Sequence, residues 1–373
     1  MLPPRAAVAL LALTGCLIGG RAAPTAAVAA RRELPVRLTD AEFWGLIDAF
    51  SEPNGFFRSD NLVSNEDTFQ YAIPELVKRV RPGSVYLGVG PDQNFTYIVA
   101  LRPRMAFITD IRRGNLQEHL MCKALIELSA DRAEFLSRLF SRARPAGLWS
   151  SSTPEQLFGA YQAIAPSQAL CDQNLAAIIE RLSRQRGSRL SDEDVSGITY
   201  IYGSFFTAGP SLSYSSAPSY GRVPRHPTYE DLQLADDGMG RHRGYLASEE
   251  NFQALKAFES TNRLVPLVGN FAGPKALRAV AAYVKDHDAR VGAFYTSNVE
   301  QYLFGDGLWG DFARNVAELP LEESSTFIRS CFVSCVSPAG SRSVTLLDTM
   351  IGLLRDFSAG KVQTYWDVLS HSR

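Results

Sequence analysis

"VYLGVGPDQNF", residues 85–95, decides the fold. Ser84 to Val89 reads as a strand, with Val85, Tyr86 and Leu87 as its apolar run, and it ends in a turn carrying Gly88 and Gly90. Asn94 to Leu101 then reads as a short helix and Met105 to Ile111 as a second strand. A strand, a glycine turn, a helix and another strand at this spacing predict two parallel neighbours in an α/β sheet, because a parallel pair needs a crossover.

The same alternation extends outward. A long helix is expected from Asn115 to Phe140, with Leu116, Leu120, Ala124, Leu128, Phe135 and Leu139 on one stripe. Residues 145–190 read as a polar-faced helical insertion, and "ITYIYGSFF", residues 198–206, has strand composition. Residues 208–227, dense in Ser, Pro, Tyr and Gly, predict a mobile loop. Further on come a helix from Ser248 to Thr261, the strand "RLVPLVGNF", a helix from Pro274 to His287 and the strand "RVGAFYTSNV". Thr326 to Val336 is a further strand candidate and Val344 to Ser358 a helix candidate. The sum is one α/β domain, residues 34–373, with a Rossmann-like, doubly wound, mostly parallel sheet of about six or seven strands.

Ahead of the first strand, Phe43, Leu46, Ile47 and Phe50 have helical spacing, and Ser51-Glu52-Pro53-Asn54-Gly55 ends that helix. The polar cluster from Ser59 to Asp67 leads into a helix from Thr68 to Val80. Such a cluster serves either turn and capping chemistry or a loop laid over a binding cleft.

With 46% hydrophobic and 21% charged residues, the chain of 373 residues can bury a large core. The formal net charge of -1 offers no general attraction for nucleic acid, and none is expected as a partner. Arg5 and the apolar run from Ala6 to Leu13 look like an export signal, being too short to span a bilayer. Leu13-Thr14-Gly15-Cys16 resembles the bacterial lipobox, which would make residues 1–16 a signal, Cys16 the lipidated first mature residue and residues 17–33 a flexible tether. An ordinary signal cut among the small residues of 23–30, and a cytosolic N-terminus, are the alternatives. Either form of export places the fold in the bacterial periplasm or on a membrane through a lipid anchor, and the sequence leaves any protein partner open. Cys122, Cys171, Cys331 and Cys335 then remain, with three possible full pairings or buried free thiols.

Ligands of doubly wound sheets bind outside the carboxyl ends of the strands, so the polar strand ends are the candidate sites. The first, Gly88 to Asn94, combines glycines that permit close backbone approach with Asp92 and Asn94 at a helix start. It carries the first two glycines of G-x-G-x-x-G, with Gln93 at the sixth position. Asp110 ends the second strand 22 residues after Gly88, where a carboxylate can accept hydrogen bonds from two ribose hydroxyls. Arg112 and Arg113 suggest instead an NADP 2′-phosphate, or ordinary paired surface. Asn270 ends the third strand; at the fourth, Tyr295 to Tyr302 offers hydroxyls, an amide and a carboxylate to a substrate, with Asn298 and Glu300 as candidate catalytic groups, or else a helix cap by Ser297 or Asn298 that Glu300 completes. No G-x-S-x-G, H-E-x-x-H or Walker pattern occurs, and the histidines are too scattered for a metal site.

Strand, "GVGPDQN", strand and "TDIRR" together resemble the first half of the class I S-adenosylmethionine-dependent methyltransferases. The resemblance covers residues 68–140 and 264–300. It implies a cofactor under the glycine turn at Gly88 and Gly90, its ribose on Asp110, and Asn270 with Phe271 where many members hold their acceptor. The whole chain also resembles a set of exported bacterial proteins of this architecture. The expectation is a methyltransferase-like protein binding S-adenosylmethionine or another nucleoside-containing small molecule. Two alternatives stand beside it. One is a catalytically inactive envelope binding module with no cofactor; the other is an envelope enzyme of different chemistry in which Asn270, Asn298 and Glu300 converge on one pocket.

Overall fold

The computed structural model describes residues 33–185, 190–214, 226–332, 335–338 and 340–372. The signal, Cys16 and almost all of the tether lie outside them, as do residues 215–225 of the expected mobile loop.

Two helices, α1 (Asp40–Phe50) and α2 (Ile73–Arg79), precede β1 (Val85–Gly88). The expected helix from Thr68 begins as a 3-10 turn, Phe69–Ala72, before α2, which has Pro at its start. The crossover α3 (Gln93–Leu101) leads to β2 (Met105–Asp110). What periodicity presents as one helix from 115 to 140 is two, α4 (Arg113–Leu128) and α5 (Arg132–Phe140). Asp131 breaks the run because its side chain caps α5 by accepting from the Glu134 amide at 2.7 Å.

The insertion holds α6 (Pro154–Gln162), α7 (Gln168–Glu180) and α8 (Asp192–Ala208), followed by the short α9 (Tyr229–Leu234). The strand expected at 198–206 is therefore the body of α8. Ile198, Ile201, Tyr202 and Phe205 are its buried residues, at helical spacing, and a capping box between Ser191 and Asp194 starts it. A bridge between Ser213 and Thr228 closes the described ends of the segment expected to be a mobile loop.

Alternation resumes with α10 (Glu249–Ser260), β3 (Leu264–Val268), α11 (Ala276–Asp286) and β4 (Val291–Ser297). Helices α12 (Val299–Gly305) and α13 (Trp309–Ala317) then lead to β5 (Leu321–Cys331). The expected helix from Val344 is half strand: β6 (Val344–Thr349) runs into α14 (Met350–Ser358), and α15 (Tyr365–His371) closes the chain. Cys331 and Cys335 form a disulfide at the end of β5, while Cys122 and Cys171 are buried free thiols.

The six strands form one sheet in the order β3-β2-β1-β4-β5-β6. All neighbours are parallel except β5 and β6. Every residue of β1, β2 and β3 is buried, as expected of parallel strands covered on both faces. Pro266 is tolerated because β3 is an edge strand. The order reverses between β1 and β4: the chain leaves β1 toward β2 and β3, then returns to β1's other side.

Candidate functional site

A cleft of about 200 Å³ opens at the carboxyl ends of β1, β2, β3 and β4. Its roof is the polar segment after α1. The Glu52 amide donates to Val268 O and the Gly55 amide to Ile111 O, each at 2.8 Å, which ties the segment across the ends of β3 and β2. Glu52 also accepts from the amides of Asn270, Lys275 and Ala276, satisfying the start of α11. Phe56, Asn61, Ser64 and Asn65 of this segment line the cleft, so the polar cluster lies over it while making its own turns.

The glycine turn divides into two parts. Gly90 lines the cleft at φ 76°, a left-handed conformation that suits glycine. Gly88 does not line it: a methyl group there would sit 2.0 Å from Asn94 Oδ1. Asn94, expected to hold cofactor, is fully buried and committed to the turn. Its Nδ2 donates to the carbonyls of Val89, Gly90 and Pro91 at 2.9, 3.1 and 2.8 Å, and its Oδ1 accepts from the Tyr86 hydroxyl at 2.8 Å. His119 Nε2 donates to Gly90 O at 2.9 Å, and burial pushes this imidazole down to about 4, so it is neutral.

Asp92 points away from the cleft, against α9 and the segment before α10. It accepts from Gln233 Nε2 and the Tyr245 hydroxyl, both at 3.0 Å, and burial raises it to about 6 despite those bonds. Deeper still, Glu118 is raised well above the usual carboxylate range by burial and then by the charge of Asp92.

Asp110 lines the cleft and is 4% exposed. Its Oδ1 accepts from the Arg112 amide at 2.9 Å, and Arg112 Nε lies 3.4 Å away. No protein group is hydrogen-bonded to Oδ2 among the described residues. Both arginines hold partners, while Arg112 Nε and Nη2 are buried without a hydrogen bond. Arg112 Nη1 donates to the Asp60 carbonyl in the roof, and Arg113 is paired with Asp194 through two bonds of 2.7 and 2.8 Å. The described residues lining the cleft include Asp110 and Asp306 but no Lys, Arg or His.

Asn270 and Asn298 both line the cleft, on opposite sides. Because β3 lies outside β2, Asn270 falls on the Asp110 side, and the strand end across the reversal from β1 belongs to β4 and Ser297. Asn270 Oδ1 is used by the Ala272 amide at 2.9 Å. Glu300 does not converge with them. It is 0% exposed and paired with Arg329, itself buried between Glu300 and Asp348. Asn298 precedes α12 without a side-chain cap bond, so the expected capping arrangement is absent too.

Glu66 is a participant that no sequence signal singled out, and Ser297 was expected only as a hydroxyl of the fourth strand end or as a helix cap. Ser297, at the end of β4, lines the cleft at φ 51°, and its hydroxyl donates to Glu66. Glu66, 1% exposed, also accepts from Gln93 Nε2 at 2.9 Å and the Tyr295 hydroxyl at 2.7 Å. Ser297 stood within a quoted strand end and Glu66 within the polar cluster, but their meeting across the fold has no local signature. Among the described residues, no three His, Cys, Asp or Glu side chains gather as a metal set.

A protein-family model described as "Domain of unknown function (DUF7790)" matches residues 61–148 and 217–345. The matched segments carry β1 to β5 and most of the cleft, and the gap between them falls on α6, α7 and α8. A comparison with curated proteins gave no match.

Proposed function

We propose a function from the cleft itself, since the chain belongs to the DUF7790 family and that family is described only as a domain of unknown function. The protein binds a neutral or cationic, nucleoside-containing small molecule across the reversal of its sheet, with the ribose hydroxyls on Asp110 and the backbone of Gly90 beneath. The observation that carries this reading is Asp110, a buried carboxylate at the end of β2 that offers Oδ2 to the cleft. The strand order is that of Rossmann-like, doubly wound sheets, which place a ribose-binding acid there. A cleft lined by Asp110, Asp306 and aromatic rings, without Lys, Arg or His, disfavours phosphates and suits a cation. S-adenosylmethionine, a sulfonium, is the ligand these features favour, and methyl transfer is the activity that would follow.

A second reading, binding without transfer, draws on the closed turn. Asn94 fills the space beneath Gly88, and the cleft's 200 Å³ lies below the roughly 300–1,000 Å³ usual for drug-sized ligands. This cavity suits a nucleoside better than a larger cofactor. In either reading a lipid on Cys16 would hold the protein at the cell envelope, and Cys16→Ser would release it from the membrane fraction.

Titration calorimetry with S-adenosylmethionine, S-adenosylhomocysteine and adenosine tests both. Asp110→Asn keeps an acceptor for the Arg112 amide but puts a donor in place of Oδ2, and should weaken ribose binding about 10- to 100-fold. Binding of all three, lost in this variant, supports the methyltransferase-like reading; adenosine alone supports the binding module. No binding by the folded protein overturns the nucleoside assignment.

A further inference from the structure

Ser297 occupies an unusual backbone position. Among the described residues, six non-glycines have positive φ. Arg102 and Ser141 are helix C-caps, Asn262 and Asp288 each follow one, and Asn61 lies in the roof. Ser297 is the one held left-handed between a strand and a helix. For serine that conformation costs about 1–3 kcal/mol, and it persists where surrounding structure over-determines it. A sharp strand-to-helix turn at the carboxyl end of a parallel strand is also the backbone device that presents a nucleophilic serine above a sheet. Here it is built from "YTSNV" without the usual flanking glycines.

The serine's proton has a destination. Its hydroxyl donates to Glu66, whose carboxylate is oriented by Gln93 and Tyr295 and bonded by neutral donors rather than by a cation. Nucleophile, base and orienting groups are thus in hydrogen-bond contact, with Ser297 on the cleft wall.

We infer that Ser297 is a nucleophile and Glu66 its general base, forming an acyl-transfer site for uncharged carboxylic esters in this cleft. As Ser297 Oγ bonds to the ester carbonyl carbon, its proton passes to Glu66. The bond from that carbon to the alcohol oxygen breaks, and the departing alcohol takes the proton. Water then attacks the acyl-serine and gives a proton to Glu66, which returns it to Ser297 Oγ as the carboxylic acid leaves. Asn65 and Asn298 line the same cleft, and their carboxamides are the donors this site would turn on the developing oxyanion, Asn298 by leaving its 3.5 Å contact with Gln301. The acidic lining excludes anionic substrates. This site needs only the cleft and stands or falls independently of nucleoside binding.

The test is reaction of the full chain with an alkyl fluorophosphonate, read by mass spectrometry of the tryptic peptide 291–314. The native protein should carry the phosphonyl adduct on Ser297, and the heat-denatured protein should not. Ser297→Ala should carry none; if it fails to fold, Ser297→Gly, which suits the left-handed position, takes its place. Glu66→Gln should react about 100-fold more slowly. The wild-type rate should also fall about tenfold per pH unit below the ionisation of the base, a readout that needs no variant. No adduct on a cooperatively folded protein, or equal labelling after denaturation, would overturn the nucleophile. A Glu66→Gln rate equal to wild type, or a flat pH profile, would overturn the base.

Discussion

Gly88 and Asn94 share one space: the Asn94 carboxamide lies where a side chain on residue 88 would have to go, and from there it ties three carbonyls of the turn together. The turn after β1 is therefore a braced bend at Gly88 and a cleft wall at Gly90. Gly88→Ala should destabilise the protein by about 1–3 kcal/mol through overpacking, seen as a lower denaturant midpoint. Combining it with Asn94→Ala should cost less than the sum of the single changes, because removing the carboxamide frees the space. Additive losses would mean the two do not compete.

Asp92 and His119 should leave opposite marks on the pH dependence of stability. Asp92, raised by burial from 3.8 to about 6, binds a proton more tightly in the fold, so its contribution is present below about pH 4 and is lost as pH rises through 6. His119, lowered by burial from 6.5 to about 4, contributes above pH 6.5 and loses that contribution as pH falls through 4. These two slopes oppose each other between pH 4 and 6, and Glu118, raised well above the usual carboxylate range by burial, adds a further loss of stability with rising pH. Relative to wild type, Asp92→Asn should tilt the melting temperature upward with pH across that window, and His119→Gln should tilt it downward. Melting curves at half-unit steps of pH decide this.

Glu300 belongs to the fold rather than to the cleft. Arg329 is 0% exposed, and Glu300→Ala would leave its guanidinium with Asp348 as the remaining acidic partner. Breaking a buried pair from one side costs about 3–5 kcal/mol, so a marked fall in the denaturant midpoint is expected. Glu300→Gln, where it folds, should bind any cleft ligand with wild-type affinity. A selective loss of ligand binding at unchanged stability would return Glu300 to the site.

Phe56 has the reverse signature. At 85% exposure on the roof it contributes little to the core, so Phe56→Ala should shift stability by less than about 0.5 kcal/mol. If the ring closes over a bound ligand, the variant should weaken binding by about 2- to 12-fold, the worth of one aromatic contact. Calorimetry and a thermal melt on the same sample separate the two effects.

The parts of this protein that its sequence determined are those written in neighbouring residues. Strand, glycine turn and crossover helix around residues 85–111 are local signals, and so are the polar strand ends at Asp110, Asn270 and Asn298, all of which line the cleft. A strand end on a parallel sheet must emerge at the same edge as its neighbours. Side-chain direction is not local in this sense. The apolar run at 198–206 suits a strand or a helix, and packing of Ile198, Ile201, Tyr202 and Phe205 chose the helix. Asn94, Asp92 and Glu300 are polar residues at strand ends that the fold turned inward, because buried carbonyls, a buried tyrosine and a buried arginine needed partners more than the cleft needed walls. The pairing of Glu66 with Ser297, 231 residues apart, and the reversal that puts β4 rather than β3 beside β1 were decided only by tertiary structure. Each depends on which strands the sheet sets side by side, and that is settled by burying all the strands at once.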